Sequence, residues 1–282
     1  MNQLFPRTTV AGVSLPRMIM GSNWLQGYSH TSAAADAMIL ARNGSREAVA
    51  EIAKTFLAHG IDACLAPFGW HSHLNDGLKL AEDQTGKGII RIDSPILNVD
   101  DNAAARKEAE ALVKKSAELG CQFCLPLHAC VEQLVNKNLQ AMPRLPDYLK
   151  MIRDQGMIPG LSAHMPELII YSDKNEYDVE TYIQIYNCMG FLMQIEIESV
   201  HNTIHNARKP VMAIKPMAAG RCGPFVGITF AYATLRDCDM VAVGCLTPQE
   251  AEEDIEIGLA AIERRRPGVA GRASPKKTEI MR

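Results

Sequence analysis

The sequence predicts one α/β domain of the (β/α)8 TIM-barrel class, and three observations carry that prediction. Short apolar runs recur eight times along the chain. Longer stretches of helical period separate them, the alternation that builds a parallel sheet from β-α units. The length, 282 residues, is that of a single barrel domain.

In chain order the strands are expected at 17–21, 61–66, 89–93, 122–127, 157–161, 182–186, 211–215 and 240–244. The segment 22–43 reads as a long loop, and long loops in compact domains belong to functional surfaces, so it is expected among the walls of the site. Over 45–59, Val49, Ile52, Ala53, Phe56 and Leu57 share one helical face and Gly60 stops the helix. Residues 102–119 repeat the pattern before Gly120, and 145–155 repeat it before Gly156. The last helix opens at Thr247-Pro248-Gln249-Glu250, where Thr caps, Pro takes the first helical position and the acid favours the positive helix end, and it runs to about 264. The remainder, 265–282, is basic and rich in Pro, Gly and Lys, as expected of a surface tail on a domain spanning 1–282.

Composition narrows the function classes. Hydrophobic residues are 47% and charged residues 22% of the chain, enough apolar material for a large core. A net charge of -3 supplies no broad basic field for nucleic acid, so a small-molecule substrate is the expected partner. The first residues hold no continuous apolar signal core and no run is long enough to span a membrane, so a cytoplasmic protein is expected. The eight cysteines are scattered, several within apolar runs, which predicts reduced, buried thiols. Cys121-Gln122-Phe123-Cys124 spells C-x-x-C but begins a buried strand instead of opening a helix, so it reads as structural.

Several segments, in order, resemble the aldo/keto reductases. Lys215-Pro216-Met217-Ala218-Ala219-Gly220-Arg221, followed by the run from Val241 to Glu250, resembles the family's two closing strands. Gly60-Ile61-Asp62 looks like the start of its second strand, Leu125-Pro126-Leu127-His128 like the histidine-bearing end of its fourth, the run from Gly160 to Glu167 like its fifth, and Gln184-Ile185-Tyr186-Asn187 like its sixth. The resemblance covers roughly residues 15–263 and implies a TIM barrel with a nicotinamide dinucleotide against the closing strands. It places Ser162, Gln184, Gly220, Arg221 and Thr247 as cofactor-binding residues.

The same resemblance marks what is missing. The family's catalytic aspartate, tyrosine, lysine and histidine are represented by Leu65, by no tyrosine within Phe68-Gly69-Trp70-His71-Ser72-His73, by Asp93 in place of the lysine, and by a retained His128. Carbonyl reduction needs a proton donor tuned beside the carbonyl oxygen, and losing donor and tuner together costs several powers of ten in rate. No basic residue follows Gly244 within Cys245 to Glu253 to take a 2′-phosphate, which favours NAD or no dinucleotide over NADP.

Barrel sites lie at the C-terminal strand ends. There the sequence offers His128, Asp93 and Lys215 as catalytic candidates, Lys215 able to orient an anion or, if desolvated, to form a Schiff base. Trp70, His71, His73, Tyr186 and Asn187 are substrate-binding candidates. His71, His73, Asp93, His128 and His164 also form a donor set suited to Zn, Mn or Fe. His201 and His205 share a helical face and are assigned to the helix after the sixth strand, away from the mouth. The expected activity is acid-base chemistry, metal-assisted or not, on a carbonyl or sugar-like substrate, of lyase, isomerase or hydrolase type. Two alternatives stand beside it: an NAD(P)-dependent oxidoreductase in which Trp70, His71 or Tyr28 replaces the missing donor, and a catalytically silent ligand-binding barrel.

Overall fold

The computed structural model describes residues 3–269. A hairpin, β1 (Arg7–Val10) and β2 (Val13–Pro16), precedes the barrel. The barrel staves are β3 (Met18–Gly21), β4 (Ala63–Ala66), β5 (Ile90–Asp93), β6 (Phe123–Cys124), β7 (Ile158–Pro159), β8 (Leu161–Ala163), β9 (Tyr182–Ile185), β10 (Val211–Ile214) and β11 (Met240–Val243). The sheet runs β7-β6-β5-β4-β3-β11-β10-β9-β8 with every pairing parallel. β7 and β8 are two halves of one strand interrupted at Gly160, so nine segments close as eight staves. A side chain at Gly160 has no room: a Cβ there would stand 2.6 Å from the Thr181 carbonyl oxygen and 2.7 Å from Leu125 Cγ. Each expected strand falls on a stave.

The helical layer is α1 (Ala33–Asn43), α2 (Arg46–Ala58), α3 (Ser72–Thr85), α4 (Ala103–Glu118), the single turn α5 (His128–Val131), α6 (Leu145–Asp154), α7 (Glu167–Lys174), α8 (Ile197–Asn206), α9 (Pro224–Thr234) and α10 (Pro248–Ile262). The caps are the ones that the sequence announces. Ser45, Asn102 and Thr247 accept the amides of Ala48, Ala105 and Glu250 at 3.2, 2.9 and 3.0 Å. Gly60, Gly120 and Gly156 take left-handed conformations after α2, α4 and α6. Segment 22–43 departs from the expected loop. It holds a 3-10 turn at Asn23–Leu25 and α1, capped by Ser32.

Two apolar layers result from the alternation of side chains along each stave. The outward set, among them Met18, Cys64, Cys124, Tyr182, Val211 and Val241, packs beneath the helices. The inward set, Ile19, Ala63, Leu65, Ile92, Phe123, Leu125, Ile183, Met212, Met240 and Ala242, fills the barrel, and Val10 and Leu15 of the hairpin seal its N-terminal end. The mouth is therefore at the C-terminal ends of the strands. The seam between first and last stave is clamped by Arg17, which is buried: its Nε donates to the Asp239 carbonyl at 3.1 Å and its Nη2 to that of Arg236 at 2.9 Å.

The C-x-x-C cysteines are both buried, as expected of structural thiols, whereas Cys188, Cys222 and Cys238 are only half-buried. Most of the tail lies outside the described residues. Its first residues fold back on α10, where Arg265 pairs with Glu256 and the Gly268 amide donates to the same carboxylate. Among the described residues no helix is long and apolar enough to cross a membrane.

Candidate functional site

A cavity of about 1320 Å³ opens at the mouth and runs outward between the loop after β10 and the flank of α10. Its floor is apolar where the barrel core ends, at Leu65, Ile183, Ile214 and Ala242. Leu65, in the place of the family's aspartate, therefore faces into the site. The walls bring chemistry from four directions: Ser94 after β5, His128 after β6, Ser162 and His164 from β8 and just beyond it, and Lys215 after β10. Segment 22–43 supplies a further wall through Asn23, Trp24, Tyr28 and His30, as its length suggested.

The titratable groups of the walls are drawn toward their neutral forms, Lys215 by burial and the imidazoles of His164 and His30 by burial and nearby positive charge. Burial draws the Lys215 ammonium down from 10.5 to about 8, and among the described residues no carboxylate is near enough to oppose that shift. The His164 imidazole is pushed to about 3 by burial and by the charges of His128 and Lys215. His30 falls to about 4 through burial and Lys215, against a weaker upward pull from Asp36. A neutral His30 accepts from Asn23 Nδ2 at 2.8 Å through Nε2, which leaves its proton on Nδ1. The His128 and His164 rings stack with centroids 3.7 Å apart at 13°.

Glu132, on the 3-10 turn that continues α5, fixes this pair. One carboxylate oxygen accepts the amides of His164 at 2.7 Å and Met165 at 2.9 Å, and the other lies 3.8 Å from His128 Nδ1. Burial works upward on this carboxyl, but the bonds from His128 and the two amides prevail and hold it below its usual value. Two buried polar atoms on the cavity wall, His164 Nε2 and Ser94 Oγ, have no partner among the described residues. Leaving such atoms unpaired costs about 1–3 kcal/mol each, a cost that a polar ligand removes. Backbone strain gathers here as well: Lys215, Ala218 and Ala219 take φ of 59°, 50° and 54°.

Of the residues singled out in the sequence, His128, Lys215, Trp70, Tyr28, Ser162, His164 and Gly220 line this cavity, whereas Asp93, His71, His73, Tyr186, Asn187, Gln184, Arg221 and Thr247 do not. Asp93 is the clearest correction. Ile92 points into the barrel, so its neighbour points out, and Asp93 is buried against α4 with Ser116 Oγ and the Phe68 amide on its carboxylate. Burial raises that carboxyl and these hydrogen bonds lower it, with a net rise. The inward position at the end of this stave is Ser94, which alternation could have supplied. Gln184 is turned outward by the same alternation: it is fully buried, with its amide on the carbonyls of His164 and Ile185. Tyr186 and Asn187 are structural too. The Tyr186 hydroxyl donates to Thr234 Oγ1 at 3.0 Å, and Asn187 folds the following loop onto the Met189 and Phe191 amides.

His71 and His73 stand at the start of α3, outside the cavity, and His73 Nε2 donates to the Leu25 carbonyl at 2.7 Å. With Asp93 on the far side of the sheet, the five proposed metal ligands do not converge. Among the described residues no three His, Cys, Asp or Glu side chains are arranged to hold a metal ion. Arg221 turns from the cavity and lies over the Phe191 ring at 3.9 Å. His201 and His205 are on α8, away from the mouth, as expected. The sequence does not single out His30, Glu132, Ser94 or Asn23; Ser94 has a signal in the alternation of its stave, and Glu132 in its place four residues after His128 on a short helix.

The residues fit a dinucleotide poorly. Ser162 is in place, but Gln184 points away. At the N-terminus of α10 the Thr247 side chain takes the Glu250 amide, and the Glu250 carboxylate takes the Leu246 amide at 2.7 Å. Thr247 thus caps a helix, and the amides that would hold a phosphate are already engaged. Glu250, Glu253 and Asp254 line the outer cavity beside Arg265 and Arg266, so its charge is mixed and offers no basic patch for a 2′-phosphate. Asp254 is nearly fully buried, and burial, with Glu250 and Glu253 adding, pushes its carboxyl up to about 7 against the Cys245 thiol's opposing hydrogen bond.

Solved structures share this architecture. A putative aldo-keto reductase from Pseudomonas aeruginosa superposes with a TM-score of 0.65 at 12% identity, over 93% of this chain and 97% of that one. An aldo/keto reductase from Klebsiella pneumoniae in complex with NADP and acetate gives 0.55 at 11%, over 95% and 92%. An aldose reductase from Giardia lamblia gives 0.53 at 11%, over 90% and 89%. No protein-family model matches the chain, and no curated protein matches it by sequence. The fold is that of the aldo-keto reductases, and likeness at this identity establishes the fold alone.

Proposed function

We propose that this barrel is an enzyme acting on a carbonyl substrate through an imine formed with Lys215, with His128 moving protons and a neutral His164 holding the substrate, in a lyase or isomerase reaction. The observation that carries the reading is the Lys215 amine. It ends a barrel strand and lines the cavity beside neutral imidazoles, with its pKa drawn down to about 8. Near neutral pH a useful fraction of it is the free amine, the nucleophilic form.

The chemistry follows from the donor set. Lys215 Nζ attacks the carbonyl carbon, a C–N bond forms, and the carbonyl oxygen leaves as water after taking two protons. The resulting iminium draws electrons from the adjacent carbon and makes its proton or its neighbouring bond labile. His128, backed by the Glu132 carboxylate, is suited to shuttle a proton. His164, which burial and nearby positive charge hold neutral, is suited to hydrogen-bond the substrate through its partnerless Nε2. Ser94 and Ser162 add hydroxyls for a hydroxylated, sugar-like substrate.

Reductive trapping tests this. Aldehydes, 2-keto acids and hydroxyketones are incubated with the protein and cyanoborohydride, and the adducted peptide is mapped by mass. The reading requires a stoichiometric adduct on Lys215 that Lys215→Met abolishes, and labelling confined to surface lysines would overturn it. Titration with NADH and NADPH discriminates the oxidoreductase alternative: micromolar binding at the Lys215–Gly220 loop would replace the imine reading with a redox one.

A further inference from the structure

The loop after β10 that frames the cavity beside Lys215, and the loop after β9 that packs against it, each carry a cysteine, and their sulfurs stand 3.7 Å apart. Cys188 follows β9 and Cys222 lies between β10 and α9; both are half-buried and neither belongs to the imine chemistry. Five of the other six cysteines sit fully in the core, and Cys238 is at the opposite end of its stave beside Asp239. A second contact holds the same loops together, the Arg221 guanidinium over the Phe191 ring. Asn187 fixes the turn that presents Cys188 through its bonds to Met189 and Phe191. Both sulfurs are thus carried on irregular backbone, and a disulfide needs an approach of only about 1.7 Å to reach its usual length near 2 Å.

We propose that Cys188 and Cys222 form a reversible dithiol–disulfide site, oxidised by a peroxide, that ties the β9–α8 loop to the β10–α9 loop at the mouth of the cavity. The Cys188 thiolate attacks a peroxide oxygen, the O–O bond breaks, and a sulfenic acid forms with loss of water from hydrogen peroxide. Cys222 then displaces the sulfenic hydroxyl, the S–S bond forms, and a second water leaves with the Cys222 proton. Two thiols are oxidised and one peroxide is reduced to two waters. Burial and the neighbouring Cys188 push the Cys222 thiol up to about 11, which suits it to enter as the protonated resolving partner. Because Cys222 lines the cavity and follows the strained Lys215–Gly220 loop, the link fixes the wall on which the amine stands.

The test is independent of any turnover, so its failure and that of the imine reading are distinguishable. The full chain is treated with stoichiometric hydrogen peroxide, blocked with iodoacetamide and mapped by mass. A Cys188–Cys222 cross-link within one chain is expected, reversible by dithiothreitol, together with slowed amide exchange across both loops. Cys222→Ser should arrest the reaction at a sulfenic acid on Cys188 that dimedone captures, and Cys188→Ser should leave Cys222 alkylatable. The proposal is overturned if both thiols remain free under peroxide, if the pairing is with Cys238 or between copies, or if oxidation leaves amide exchange unchanged in both loops.

Discussion

Replacing Lys215 by methionine should make the protein more stable at neutral pH, an outcome opposite to that of most substitutions at a half-buried position. The native fold holds the amine at about 8 against 10.5 in water, so the folded chain binds fewer protons than the unfolded one between those values. Stability therefore rises as pH climbs from 8 to 10.5, and at pH 7, below both, the full penalty is present. A gap of about 2.5 pH units is roughly 3.4 kcal/mol. Solvent reaching the ammonium reduces it, so a gain of about 1.5–3 kcal/mol is expected, or several degrees in Tm for a chain of this size. Methionine keeps the length of the side chain and the strain of the left-handed backbone, which isolates the charge; Lys215→Gly should add the relief of that strain. The assay is urea unfolding of both proteins from pH 6 to 10.5. A variant less stable at pH 7, or a gain that does not shrink towards pH 10, would show that the ammonium has a partner and would remove the basis for a nucleophilic amine.

Other perturbations follow from the same geometry. Asp254→Asn should stabilise the fold at pH 8 by a few kcal/mol and have little effect at pH 4: with the carboxyl raised from 3.8 to about 7, the folded chain stays protonated while the unfolded one ionises, so the penalty builds between those values and is full above 7; thermal melts across that window check it. Gly160→Ala should cost at least 1–3 kcal/mol in urea unfolding, since its Cβ meets the Thr181 carbonyl at the join of β7 and β8. His164→Leu should leave the melting temperature unchanged or higher, by removing a buried atom without a partner, while slowing imine trapping at Lys215 at least tenfold.

The staves were legible because each is apolar on both faces, as a sheet buried under helices requires. Side-chain direction was harder to read. A carboxylate at a strand end suggests a mouth residue, but strands of about four residues leave one position between facing the cavity and facing a helix, and that position separated Asp93 from Ser94 and Gln184 from Ile183. The hairpin has a local signal in Ala11-Gly12, both at positive φ, a two-residue turn between alternating apolar residues. His30 had none, because its place depends on the path of 22–43 over the mouth, which no periodicity encodes.

The clamp made by Arg17 bears on how such a chain reaches its native state. Its partners at Arg236 and Asp239 lie more than two hundred residues further along, and β3 pairs with β11 across the same span. Contacts of that sequence separation raise contact order and delay the final step of folding. During synthesis the first stave must wait, its edge unpaired, until β11 has emerged. Shortening Arg17 should therefore slow refolding and lengthen the life of an open, association-prone intermediate, as well as loosen the finished barrel.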